Sequence, residues 1–201
     1  MNGQAPMQKI RDYERVVEER PGSAVAHYNL ALAWTRRGRV QRAEKEYLRA
    51  LELDPDMVEA WVNLGGVRLL QWNFPAAVEA LEEATRRRPD LAVAHYNLGQ
   101  AWLYLGDAEK VIACNRKVIE LQPANGAAHY FLAVGLLATG EVEEARRELS
   151  RAMAHGHRPS PEFLRKLEQE EMKARRGHGE QEGIAVEFIL PGKETRDDQR
   201  D

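Results

Sequence analysis

Residues 95–106 read HYNLGQAWLYLG, and the chain repeats nearly the same line three more times. Residues 27–38 read HYNLALAWTRRG, residues 61–72 read WVNLGGVRLLQW and residues 129–140 read HYFLAVGLLATG. Successive copies start 34 residues apart, and Pro21, Pro55, Pro89 and Pro123 keep the same step. A fixed period of this length marks stacked supersecondary units, none of which buries its apolar faces alone.

Working outward from that line, apolar residues recur three and four apart, the period of a helix with a buried stripe. In the first full repeat, residues 24–57, the spacing predicts helix A over 24–36 and helix B over 40–53. Gly38 sits where the chain reverses and takes a positive φ at little cost. Asp54-Pro55 closes helix B, because proline lacks the amide donor and disfavours a helical residue before it. Repeats two to four follow as 58–91, 92–125 and 126–159, with Gly106 and Gly140 at the same turn as Gly38. Repeat two departs there with Trp72-Asn73-Phe74-Pro75, and Pro75 suits the first turn of the next helix.

Both ends follow from the same register. Residues 1–5 are expected to be disordered, and residues 6–23, with Ile10, Tyr13, Val16 and Val17 at helical spacing, form a half repeat. Residues 160–176 predict a capping helix: Phe163, Leu164, Leu167 and Met172 lie on one side, Arg165, Lys166, Glu168, Glu170 and Glu171 on the other. Beyond it come a linker, 177–183, a short β-prone segment, 184–190 (IAVEFIL), and a charged tail expected to be disordered. The β-prone segment has three possible fates: the chain's own groove, a strand edge in a partner, or no partner at all.

These residues resemble the tetratricopeptide repeat. Trp61, Leu64, Gly65, Ala77, Leu81, Ala84 and Pro89 carry the pattern most fully, and Leu30, Trp34, Ala43, Tyr47, Ala50 and Pro55 carry it in repeat one. Leu98, Gly99, Trp102 and Pro123 carry it in repeat three. Repeat four keeps Leu132, Ala133, Ala145, Leu149 and Ala152 but has His157 in place of the closing proline. The resemblance implies an all-α fold, a right-handed α-solenoid of stacked antiparallel helix pairs. In physical terms, small residues such as Gly65, Ala77 and Ala84 let helices approach while Trp34, Leu64 and Tyr47 fill the grooves. Val111 and Asn115 depart from this scheme in repeat three; Asn115 is either turned towards solvent or hydrogen-bonded in a weaker seam, and the first is favoured, since an unpaired buried amide is costly.

Composition narrows the function classes. A net charge of -3 gives no overall reason to bind nucleic acid. The single cysteine, Cys114, excludes an internal disulfide and fits a reducing compartment. No run approaches the ~18 apolar residues of a membrane helix, and the N-terminus lacks a secretion signal, so a cytoplasmic location is expected. His27, His95 and His129 recur one repeat apart, too far for a shared metal, and are read as packing residues. Neither His155-Gly156-His157 nor Cys114 has the partners that metal binding or nucleophilic chemistry requires. No catalytic residue, metal or cofactor is expected.

The resemblance implies that one stripe of each helix A lines the concave face of the stack, where peptides dock. Val25, Asn29, Leu32 and Arg36 form it in repeat one, and Glu59, Asn63, Gly66 and Leu70 in repeat two. Val93, Asn97, Gln100 and Tyr104 continue it, then Ala127, Phe131, Val134 and Ala138, with Tyr28, Val62, Tyr96 and Tyr130 alongside. Asn29, Asn63 and Asn97 make a column able to donate to and accept from a peptide backbone. It is similar to the asparagine ladder of an O-linked N-acetylglucosamine transferase, and equally consistent with a consensus residue of the family. The candidate site is therefore Tyr28, Asn29, Asn63, Tyr96, Asn97, Gln100, Tyr104, Tyr130 and Phe131. The lysines and arginines that hold a chaperone's terminal carboxylate in related co-chaperones are absent from these positions, which argues against such a clamp.

The leading expectation is a non-catalytic scaffold or adaptor binding a protein segment. The alternative is an RNA-binding or nucleoprotein-assembly module that uses Arg36, Arg37, Arg39 and Arg42 or Arg86, Arg87 and Arg88. Trp72 and Phe74 are bulky for a turn; they either tuck against the adjacent repeat or form an exposed binding edge.

Overall fold

The computed structural model describes residues 5–175. The β-prone segment 184–190 lies outside them, as do residues 1–4 and the tail. Every element among the described residues is a helix. These are α1 (Ala5–Glu19), α2 (Ala24–Thr35), α3 (Val40–Leu53), α4 (Val58–Leu70), α5 (Phe74–Arg87), α6 (Ala92–Leu105), α7 (Ala108–Leu121), α8 (Gly126–Ala138), α9 (Val142–Ala154) and α10 (Pro161–Arg175). The fold is all-α and of the solenoid class: within each of its two units, successive helices pack on one another. The chain divides into two compact units, Met1–Leu105 and Gly106–Asp201.

In the first unit, helix pairs form because each strongly amphipathic second helix covers a largely apolar first one. Ile10, Leu30, Ala31, Trp34, Tyr47, Leu51, Leu64 and Val67 share one core. Gly65 is required by a close approach, since a Cβ there would lie 2.4 Å from Leu81 Cγ. Tyr47 is fully buried, and its hydroxyl finds Thr35 Oγ1 at 3.1 Å. Thr35 Oγ1 itself donates to the Ala31 carbonyl, so the tyrosine is the donor in that pair. Helix starts are capped by side chains, Ser23 accepting from the Ala26 amide and Asn73 from the Ala76 amide.

One device recurs in every repeat. The ring N–H at the first position of the quoted line reaches the proline carbonyl six residues earlier. His27 Nε2 is 3.1 Å from Pro21 O, Trp61 Nε1 2.8 Å from Pro55 O, His95 Nε2 2.8 Å from Pro89 O and His129 Nε2 2.9 Å from Pro123 O. Each proline stands two residues beyond a helix end, where its carbonyl has no helical partner, and this latch satisfies it. Histidine and tryptophan are interchangeable here because each offers a ring N–H. The second ring nitrogen of His27 meets Glu46 at 2.6 Å, and that of His129 meets Glu148 at 2.6 Å.

In the second unit, α8 is buried along almost its whole length between α7 and α9. A Cβ on Gly135 would lie 2.8 Å from Ile112 Cγ1, so α7 and α8 meet backbone to side chain. Asn115 corrects the expectation above: it is 1% exposed, with Nδ2 donating to the Val111 carbonyl at 2.8 Å and Oδ1 lacking a partner. Val111, Asn115 and Val118 share one helical stripe, so turning the amide outward would withdraw both valines from the core. The capping helix α10 seats Phe163 and Leu167 fully buried, whereas Met172, expected on its apolar side, is exposed. His157, in the register position of the closing proline, stacks on Tyr130 with ring centroids 4.4 Å apart.

Candidate peptide-binding face

The asparagine column lies within the first unit, one residue on each of α2, α4 and α6, and all three side chains are half-buried. Asn63 is held in place: Nδ2 donates to Tyr28 Oη at 3.1 Å and to the Glu59 carbonyl at 2.8 Å. Both of its donor hydrogens are thereby engaged, and Oδ1 is left as the acceptor. Asn29 and Asn97 make no side-chain hydrogen bond among the described residues. The column therefore offers an oriented acceptor at its centre and two amides with all their hydrogen-bonding capacity.

The tyrosines are tied to this arrangement. Burial pushes the Tyr28 phenol above its ordinary range, reinforced by the Glu59 carboxylate and opposed by the Asn63 bond and Arg36. Burial raises Tyr96 likewise, opposed by its hydrogen bond with Gln100. Both phenols stay neutral donors at physiological pH. Gln100 and Tyr104 border a shallow depression of about 260 Å³ whose remaining wall is Leu69, Leu70, Trp72 and Phe74. In the second unit, Tyr130 is 6% exposed, covered by His157 and Phe163, and its hydroxyl lies 3.4 Å from Ser160 Oγ. Phe131 is half-buried and edge-on to Tyr130 at 5.5 Å. The structure thus brings together Tyr28 with Asn63, Tyr96 with Gln100, and Gln100 with Tyr104, while Tyr130 packs beneath the capping helix.

The two turn aromatics are placed differently, one tucked in and one exposed. Phe74 tucks in, its ring stacked parallel on Tyr104 at 4.5 Å, while Trp72 stands edge-on to both and remains 62% exposed. Leu70, a stripe position of repeat two left out of the candidate site, is 63% exposed beside them. Its signal was available: an apolar residue next to the turn that, unlike those inside the other three repeats, has no glycine.

Charges separate the two arginine clusters. Arg86, Arg87 and Arg88 are all engaged, the first two by Glu83 and the third by Glu59 at 2.9 Å, with Asp56 3.4 Å from Arg87. Hydrogen bonds from Arg86 and Arg87 hold the Glu83 carboxyl down at about 2. Among the described residues, Arg36, Arg37 and Arg39 form no ion pair, and Arg42 lies over the Trp34 ring at 4.6 Å. A broader depression, about 680 Å³, runs along α3 past His27, Glu46, Leu48 and Glu52 and carries mixed charge. No group of three metal-ligating side chains occurs among the described residues, and no helix there is long and apolar enough to cross a membrane.

Comparisons with known proteins agree with this architecture. The family model described as tetratricopeptide repeat matches residues 10–58, 37–90 and 71–113, and a second model of that description matches 126–151. Among solved structures, MamA superposes with a TM-score of 0.70 at 24% identity, covering 73% of this chain and 85% of its own. MamA from Desulfovibrio magneticus RS-1 gives 0.70 at 23%, covering 75% and 85%. YrrB, described as a TPR protein with an unusual peptide-binding site, gives 0.71 at 20%, covering 84% and 85%. At these identities the likeness establishes the fold alone. No curated protein matches the sequence. With a 34-residue register, paired helices and family models spanning more than half its length, the chain belongs to the tetratricopeptide repeat family.

Proposed function

We propose that the protein is a non-catalytic, cytoplasmic scaffold or adaptor that binds an extended segment of a partner protein along the helix-A stripe of its repeats. The observation that carries this is the asparagine column of the first unit, with Asn63 pinned by Tyr28 so that its remaining oxygen has a set orientation. Preorganised polar groups bind without the ordering cost that free rotors incur. Asn29 and Asn97 supply unengaged amides to either side, and Tyr96, Gln100 and Tyr104 supply hydroxyl, amide and ring contacts. The family is generally an interaction fold, which supports the same reading.

The decisive experiment is affinity capture from the native cell with the wild-type chain and an Asn63→Ala, Asn97→Ala variant of equal helicity. Loss of the captured partner is the expected result; undiminished capture rejects the stripe. The RNA-binding alternative has one observation behind it, the unpaired arginines at the first turn, since the second cluster is occupied by its own carboxylates. Steep loss of binding between low and moderate salt would favour it.

A further inference from the structure

The turn between α4 and α5 breaks a rule that the other turns obey. Gly38, Gly106 and Gly140 hold the reversal at φ 67°, 80° and 85°, and Trp72 holds the same position at φ 60°. The closing bond is equivalent too: the Asn73 amide reaches the Arg68 carbonyl at 2.9 Å, as the Arg39 amide reaches Trp34 at 3.0 Å. A bulky side chain in the left-handed region crowds its Cβ against the following carbonyl and is strained there. Burial does not offset that strain, because the indole is 62% exposed. Strain held at an exposed aromatic is a pointer to recognition.

What lies next to it gives the chemistry. Arg68 donates to Glu44 Oε1 at 3.0 Å and to the Ala76 carbonyl at 2.9 Å, drawing together the start of α3, the end of α4 and the start of α5. The turn bearing the unpaired Arg36, Arg37 and Arg39 therefore adjoins the turn bearing Trp72. An apolar depression lined by Leu69, Leu70, Trp72, Phe74 and Tyr104, with unneutralised cations on the turn of the preceding repeat, is complementary to a segment that carries an apolar group and, a few residues away, carboxylates. Neighbouring helices lie about 8–10 Å apart, the length of roughly three extended residues. Phe74 and Tyr104 stack on each other with an interplanar angle of 2°, so their inner faces are closed to a nucleobase, and the leucines favour an aliphatic or aromatic side chain.

We propose that this turn edge docks an extended acidic segment of a partner protein. Its one or two bulky apolar side chains sit on Trp72, Phe74 and Tyr104, and carboxylates about three residues away pair with Arg36, Arg37 and Arg39. The edge shares Leu70 and Tyr104 with the stripe, but none of the three asparagines takes part and neither Trp72 nor Phe74 belongs to the stripe. Substitution of Asn63 and Asn97 tests the one reading and substitution of Trp72 the other, so either can fail while the other stands.

The test uses the full chain and a synthetic peptide, EEEGFLGEEE, with KKKGFLGKKK and EEEGSSGEEE as controls, measured by calorimetry. The first peptide should bind and the two controls should not. Trp72→Gly restores the residue used at the other turns, so the fold is retained; it should weaken binding by about tenfold or more at an undiminished melting temperature. Arg36→Glu, Arg37→Glu and Arg39→Glu together should abolish binding. Equal affinity for the serine control, or for the Trp72→Gly chain, overturns the proposal. So does tighter, Trp72-dependent binding of a uridine dodecamer, which would assign the edge to nucleic acid. A gain in peptide affinity on deleting 184–201 would show that the chain's own terminal segment is the occupant. Concentration-dependent self-association lost in Trp72→Gly would show that a second copy is. Either of these two results also overturns it.

Discussion

His129 shows how one side chain joins three parts of a repeat. Its ring lies between the Pro123 carbonyl at 2.9 Å and Glu148 at 2.6 Å, and both ion-pair side chains are almost fully buried. Removing the ring leaves the buried Glu148 carboxylate with Arg151 alone and the Pro123 carbonyl without its partner. His129→Phe is therefore expected to destabilise the chain by about 2 kcal/mol in urea unfolding, and His129→Phe with Glu148→Leu to recover part of the loss. The sequence reading placed the histidines in packing but did not find this role. Their recurrence was visible in one line of text, whereas Glu46 and Glu148, nineteen residues on, become partners only when helix B folds back. Asn115 was misjudged for a related reason. Polarity argued for solvent, but its stripe with Val111 and Val118 leaves no such choice.

Among elements, helix bounds were the most legible feature. The expected 24–36 and 40–53 compare with Ala24–Thr35 and Val40–Leu53, because proline, glycine and capping residues punctuate each turn. The docking of α10 was only half legible. Its amphipathic pattern required a surface to cover, but not that Tyr130 would be what it covers. The segment leading into α10 also carries a titratable group, since burial lowers the His157 pKa below its ordinary value. The unfolded chain then takes up the proton at higher pH than the folded one, so stability falls as pH drops through about 6.5 and levels off below the folded pKa. His157→Phe, which keeps a ring on Tyr130, is expected to flatten the midpoint of thermal unfolding between about pH 7 and 5.5 relative to wild type. An identical slope in the two proteins would show that other groups govern it.

At the scale of the molecule, the period predicted stacked units, because a repeat unit that cannot bury its own faces has to stack, and the resemblance to the tetratricopeptide repeat implied that the units are helix pairs. Function was legible only as a class. The stripe positions follow from helical geometry, but the charge state of a surface does not follow from a run of letters. Arg86, Arg87 and Arg88 read as a basic cluster and prove to be neutralised by Glu83, Glu59 and Asp56. Arg36, Arg37 and Arg39 read the same way and are unpaired among the described residues. The pairing of the first group depends on Glu59, 29 residues away, and on Asp56 of the preceding repeat.

The ring-to-proline latch carries a consequence for how such a chain changes length. Each latch spans six residues, and the Tyr28–Asn63 bond spans one repeat plus a single residue. Excising 58–91 would place Pro55 six residues before the ring of His95, and Asn97 where Tyr28 now meets Asn63. The shortened chain is expected to remain helical and to unfold cooperatively, with circular dichroism reduced about in proportion to the residues removed. Loss of cooperative unfolding would show that the repeats are not modular. If the expected result holds, a recombination event that removes or copies one 34-residue unit leaves every latch closed, and the length of this protein is open to change in whole repeats.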